Sequence, residues 1–286
     1  MKTYLDCLPC LVRQTIEAVR LASADPIFQE RICRQAMEEM SRIDFCSSPP
    51  VMAQRIHRLL RRESGCDPYW EAKVQANRLA LSLLPRLEEK VRNSPVPLET
   101  AVRLVIAGNI IDMGVGFNPR FEENRLYEAI EHALNTPFEG DVPTFCAAVE
   151  KAENILYLID NAGEIVFDRL LIGLLPPEKI TAVVKGIPII NDATLADAEM
   201  AGLTAMVPVR DNGSDGPGTI LDSCSPEFRG LYRQADLIIA KGQAHYETLN
   251  EENKDIFFLL KAKCPVVAGD LRCRIGDLIL RRSAGS

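Results

Sequence analysis

Between residues 155 and 268, short unbroken apolar runs alternate with helical stretches, and this alternation restricts the fold more than any other feature. The runs are Ile155–Ile159, Ile180–Val184, Ala205–Val209, Leu237–Ala240, Ile256–Leu260 and Pro265–Ala268. A strand with no polar residue in alternation is buried on both faces. Such strands separated by helices imply a parallel sheet covered on both sides. Leu278–Leu280 is expected as an edge strand. Leu98 to Ile111 is apolar nearly all round and reads as a buried helix. Residues 1–95 follow another pattern. Leu11, Val12, Ile16 and Val19 recur at helical spacing, and further periodic segments span about 26–42, 50–63 and 68–92, with no strand-like run. Ser94-Pro95-Val96-Pro97 closes this region. The expectation is a helical domain over 1–96 and an α/β domain with a mainly parallel sheet over 97–286.

The length of 286 residues suits two domains better than one core. No run of eighteen apolar residues exists and no apolar stretch follows Lys2, so neither a membrane span nor a secretory signal is expected. The net charge of −7 is uneven: residues 1–95 carry 15 basic and 12 acidic side chains, the remainder 18 and 28. An acidic surface repels nucleic acid and suits a bound cation. Nine scattered cysteines, an odd number, read as reduced thiols of a cytoplasmic protein rather than a disulfide scaffold.

Ligands of open parallel sheets bind beyond the carboxyl ends of the strands. The first four runs each open there into a polar, glycine-containing segment: Asp160-Asn161-Ala162-Gly163-Glu164, Lys185-Gly186 with Asn191-Asp192 shortly after, Arg210 to Thr219, and Lys241-Gly242-Gln243. Asp160 and Asn161 offer the oxygen donors that a hard divalent cation takes, and Asp192 can add a second carboxylate. A helix cap is the competing role for Asp160 and Asn161. Lys241 suits a phosphate as a point charge, or is a solvated strand end. Gln243, His245 and Glu247 can line the same crevice. Asn109 and Asp112 share one face of an apolar helix and need partners, structural or functional.

Other features are weaker. Asp211 to Thr219 can cradle an anion through backbone N–H groups or form an ordinary surface loop; neither a P-loop nor G-x-G-x-x-G is present. Cys7-x-x-Cys10 is half a zinc site without its second half, and plain buried cysteines are the simpler expectation. Arg55 to Arg62 reads as a basic solvated helix face.

Four motifs together resemble the damage-control metal-dependent phosphatase family, formerly a domain of unknown function, whose eukaryotic branch includes an acidic residue methyltransferase. They are Gly108-Asn109-x-x-Asp112, Asp160-Asn161-Ala162-Gly163-Glu164, Asn191-Asp192-Ala193-Thr194 and Lys241-Gly242-Gln243-x-x-Tyr246-Glu247. Cys7-x-x-Cys10 and Asp67-Pro68-Tyr69 resemble its prokaryotic branch. The resemblance implies a Rossmann-like three-layer α/β/α domain that hydrolyses small phosphate monoesters, such as sugar phosphates or damaged phospho-metabolites, with Mg²⁺, Mn²⁺, Co²⁺ or Ni²⁺. By it, Asp160, Asn161 and Asp192 match the metal ligands. Asn109, Asp112, Glu164 and Lys241 match other active-site positions. Lys185, Lys241, Gln243, Glu247 and Asn109 are the expected substrate contacts. His245 stands where the family often has Asn. Two other readings stay open: an S-adenosylmethionine-dependent carboxyl methyltransferase, and a metal- or ligand-binding module without turnover.

Overall fold

The computed structural model describes residues 1–108 and 123–283. The expected roles of Asn109 and Asp112 fall outside the described residues. Four helices come first: α1 (Cys7–Ala22), α2 (Pro26–Met40), α3 (Pro49–Ser64) and α4 (Trp70–Arg92). Proline in the first turn of α2 and α3 costs no hydrogen bond there. Asp25 caps α2 by accepting from Ile27 and Phe28. Gly65 ends α3 in the left-handed conformation. The apolar periodicity of α1 to α3 places Leu11, Ala36, Met52, Ile56 and Leu59 in a small shared core.

A helix-rich α/β body follows, with α5 (Pro97–Ala107), α6 (Glu123–Leu134), β1 (Phe138–Gly140), α7 (Val142–Lys151), β2 (Ile155–Leu158), α8 (Glu164–Ile172), β3 (Ile180–Val184), α9 (Leu195–Met200) and β4 (Val209–Asp211). It is completed by α10 (Pro226–Gln234), β5 (Leu237–Lys241), α11 (Gln243–Leu249), β6 (Ile256–Lys261), α12 (Pro265–Leu271) and β7 (Leu278–Arg282). The strands form one sheet in the order β1-β7-β6-β5-β2-β3-β4, parallel except where β6 meets β7. Both faces are covered. Ile155, Tyr157 and Ile159 point toward Leu83, Leu87 and Val105 of α4 and α5 and toward Phe167 of α8. Leu156 and Leu158 point to the opposite face, toward Phe228 of α10, Leu249 of α11 and Val267 of α12. The sheet is therefore the middle of three layers, as expected. The strand-separated helices put β3 on one side of β2 and β5 on the other. The strand order thus reverses at β2, where an open sheet makes its ligand crevice.

Several local expectations are corrected. Pro265–Ala268 is not a strand but the start of α12, with proline in its first turn and Cys264 Sγ accepting from the Val267 N–H. Ala205–Val209 is not a strand along its length: Ala205 ends a 3-10 turn at Leu203–Ala205, and the strand begins only at Val209. The short strand β1 was not anticipated. The basic run on α3 is not simply solvated: His57 is buried, and Arg58 and Arg61 bind Asp215 at 2.6 Å and 2.5 Å. Gln54 Nε2 adds a 2.7 Å bond to the same carboxylate. With Asn212, Ser214, Asp215 and Thr219 all buried, Asp211–Thr219 is not an ordinary surface loop. Cys10 is exposed and Cys7 only partly covered, so the pair is not plainly buried; all nine thiols are free. No described helix is long and apolar enough to cross a membrane.

Candidate active site

The strand ends of β2, β3 and β5 meet at the reversal point. Side-chain alternation decides where each polar residue aims. Lys241 ends β5 in phase with Leu237 and Ile239, so it enters the layer formed by α5 and α8. Its Nζ donates to Val105 O at 2.9 Å, Glu164 Oε1 at 2.6 Å and Asp168 Oδ1 at 2.9 Å. Lys185 follows β3 in phase with Val183 and goes to the other layer. There it donates to Gly218 O, lies 3.4 Å from His245 Nε2 and forms an ion pair with Asp192 Oδ2 at 3.4 Å. Each ammonium has three hydrogens and three protein partners. Direct contact of either lysine with a substrate would exchange one of them.

Asp160 and Asn161 lie between the two lysines. Their segment pairs with the Asn191–Ala193 segment: Ala162 N donates to Asn191 O, and Ala193 N to Asp160 O, both at 2.9 Å. Asn161 and Asp192 are thus directly opposite one another in an antiparallel bridge. Asn161 Nδ2 donates to Asp160 Oδ2 at 2.9 Å and Glu164 Oε2 at 3.3 Å. All of these side chains are buried. Just before Asn191, the β-branched Ile190 sits at φ 46°. That conformation costs on the order of 1–3 kcal/mol and is held by the surrounding structure.

The electrostatics follow from burial. Burial pushes the Asp160 carboxyl well above the ordinary carboxylate range, and the charges of Glu164 and Asp192 push it further. Burial likewise pushes Asp168 up to about 6, against the pull of Lys241. Burial opposes the charge of Lys241, but Asp168 and Glu164 outweigh it and hold the ammonium protonated. His245 is driven well below its usual range by burial and by Lys185. Its Nδ1 lies 2.6 Å from Lys241 O, and a carbonyl only accepts. The proton therefore sits on Nδ1 and leaves Nε2 to accept from Lys185.

The donor set fits a hard divalent cation. Two aspartates and a carboxamide supply oxygen ligands, and carboxylates crowded in a buried site are relieved by a positive charge. Among the described residues, no group of three or more His, Cys, Asp or Glu side chains converges to hold a metal unaided. A cation here would rest on Asp160, Asn161 and Asp192, with water or substrate oxygens completing its shell. Space beside Asp160 is kept by Gly242. At φ 82° it takes a conformation that favours glycine, and a Cβ would lie 1.9 Å from Asp160 Oδ2.

Of the other expected residues, Gln243 and Glu247 pair with each other on α11 at 2.9 Å. Burial lifts Glu247 to about 7. Residues that sequence reasoning passed over are equally engaged. Asp168 binds Lys241 and accepts from the Tyr157 hydroxyl at 2.7 Å. It lies one helical turn after Glu164 among apolar residues, a spacing that marks both carboxylates as inward-facing. Lys73 and Asn77 of α4 have the same four-residue spacing and are fully buried beside Asp197.

Residues 3–279 match the damage-control phosphatase ARMT1-like domain. A damage-control phosphatase of Pyrococcus horikoshii is 35% identical, with 99% of each chain covered. One of Archaeoglobus fulgidus is 36% identical, covering 98% of this chain and 99% of its own. An uncharacterised protein of Methanocaldococcus jannaschii is 38% identical over 98% of this chain and 95% of its own. The crystal structure of a DUF89 family protein from Pyrococcus horikoshii superposes with a TM-score of 0.89 over 99% of both chains, at 35% identity. With its fold matched over nearly the full length, the chain belongs to the damage-control phosphatase family of the ARMT1-like domain.

Proposed function

We propose that this chain hydrolyses phosphate monoesters of small metabolites, with a divalent metal (Mg²⁺, Mn²⁺, Co²⁺ or Ni²⁺) held by Asp160, Asn161 and Asp192. The observation that carries the reading is the meeting of the Asp160, Asp192 and Glu164 carboxylates with Lys185 and Lys241 at the reversal point of the sheet. A cation held by Asp160, Asn161 and Asp192 would supply Lewis-acid charge for the phosphoryl group and activation of water.

The chain's own residues position and neutralise. Burial and the charges of Glu164 and Asp192 disfavour the ionised form of Asp160, and a cation held there would favour it, because a carboxylate ligand must be ionised. Lys185 places positive charge beside Asp192, where phosphoryl oxygens gather negative charge. Lys241 fixes Glu164, which in turn receives the Asn161 amide and so orients the neighbouring ligand. Gln243 and Glu247, at the start of α11, are the proposed contacts with the organic part of the substrate. Asn109 and Asp112 complete the proposed set from outside the described residues.

The test is a panel of sugar phosphates and other small phosphate esters, assayed for released phosphate after chelation and re-addition of each metal. Turnover with at least one metal, absent in the chelated protein, is expected. A panel silent with all four metals would overturn the proposal.

A further inference from the structure

We infer that Asn77 is a positioning residue for the proposed metal centre, tying together the two segments that carry its ligands; this inference rests on the reading of the site given above. Asn77 lies on α4 and is completely buried. Its Oδ1 accepts from the Gly163 N–H at 2.6 Å, and its Nδ2 donates to Asp197 Oδ1 at 2.8 Å. A backbone N–H only donates and a carboxylate only accepts, so the orientation of this amide is forced.

Each end of that amide belongs to a different ligand segment. Gly163 closes the turn that begins with Asp160 and Asn161, at φ 77°. Asp197 Oδ2 accepts from Thr194 N at 2.8 Å and Thr194 Oγ1 at 2.7 Å, closing the turn after Asp192. One turn earlier on α4, Lys73 Nζ lies 3.5 Å from Asp197 Oδ2 and 3.3 Å from Asp67 Oδ2, a single positive charge shared by the two carboxylates. Backbone pairing through Ala162 and Ala193 already joins the segments at their near ends. Asn77 joins them at their far ends, so the two contacts together fix how Asp160, Asn161 and Asp192 face one another.

Packing alone does not need this amide. Further along α4, Ala80 and Leu84, three and seven residues on, fill the same face with apolar side chains. A buried carboxamide whose donor and acceptor both serve the ligand segments acts instead as an outer-shell support. Losing such a support weakens metal binding by about 10–100-fold.

The geometry also supplies its own rescue. In Asn77→Asp, two carboxylates face each other. In the double variant Asn77→Asp with Asp197→Asn, residue 77 still accepts from Gly163. Residue 197 then donates to it through Nδ2 and accepts from Thr194 through Oδ1. The direction of one hydrogen bond reverses and the net charge is unchanged.

The experiment is titration of Mn²⁺ into the chelated full chain, reading free Mn²⁺ by electron paramagnetic resonance, with thermal unfolding measured in parallel. Asn77→Ala and Asn77→Asp are expected to bind about 10–100-fold more weakly. The double variant is expected to return to within about threefold of wild type, as paired substitutions do when they restore one interaction. If Asn77→Ala does not fold, the comparison of Asn77→Asp with the double variant decides. A double variant as stable as wild type yet no tighter than Asn77→Asp overturns the inference. So does wild-type affinity in Asn77→Ala when Asp160→Ala has lost binding, and that result leaves the site reading intact. A wild-type chain that binds no Mn²⁺ overturns the site reading and this inference together.

Discussion

At the scale of single residues, Gly242 and Lys241 carry opposite kinds of constraint. Gly242 is needed for what it lacks: a methyl group there would occupy the place of Asp160 Oδ2. Gly242→Ala should therefore displace Asp160 and weaken metal binding at least about tenfold, the scale of a misoriented ligand. Calorimetric metal titration checks this. Lys241 is needed for its charge. Lys241→Met leaves Glu164 and Asp168 facing each other in a closed layer, and should cost about 3–5 kcal/mol of stability, read by urea unfolding. Asp160, Asn161, Lys185 and Lys241 stand at strand ends as read, because an apolar run announces its own terminus, whereas Asp192 lies eight residues beyond the end of β3 and reaches the site through its bridge to Asn161. Nothing in the sequence warned that both lysines would be fully engaged by protein groups. That depends on residues such as Val105, Asp168 and Gly218, which only tertiary packing brings near.

At the scale of elements, length and turn chemistry separated what could be read from what could not. Strands β2, β3, β5 and β6 are central and apolar on both faces, so their sequences carry the signal. Pro265–Ala268 is likewise an unbroken run of four apolar residues and yet begins a helix. A run that short has no period, and the first-turn proline with the Cys264 cap decides the outcome. β1 is three residues long and gains its identity only by pairing with β7. Helix α3 was read as solvated because its arginines dominate the count. Two of them instead clamp the 211–219 loop through Asp215, a contact more than 150 residues away along the chain. Removing both, in Arg58→Ala with Arg61→Ala, leaves a buried carboxylate with Gln54 as its one side-chain partner among the described residues. Amide hydrogen exchange over residues 211–219 should then accelerate at least about tenfold, with the central strands unaffected.

At the scale of the whole molecule, the sheet gathers its acidic and basic strand ends at one place while the early helices brace that place from outside. One brace has a pH signature. His57 is buried on α3, its Nε2 has no partner among the described residues, and burial, with Arg61 adding to it, drives its pKa down to about 4. The unfolded chain takes up this proton near pH 6.5, before the folded one does. The stability contributed by neutral His57 is thus complete above about pH 6.5 and is lost as pH falls toward 4. The loss reaches about 3 kcal/mol. Urea unfolding at pH 7 and pH 4.5 should show a smaller acid loss in His57→Leu than in wild type. The central claim, that Asp160 and Asp192 hold the metal on which phosphate release depends, is tested most directly by one paired titration. Metal binding and phosphate release are followed together as Mn²⁺ is returned to the chelated protein and to its Asp160→Ala variant. A single half-saturation for both signals is predicted in the wild type, with both signals lost in the variant and turnover reduced by at least about 10³. Phosphate release by the metal-free protein, or undiminished release by Asp160→Ala, would contradict the account.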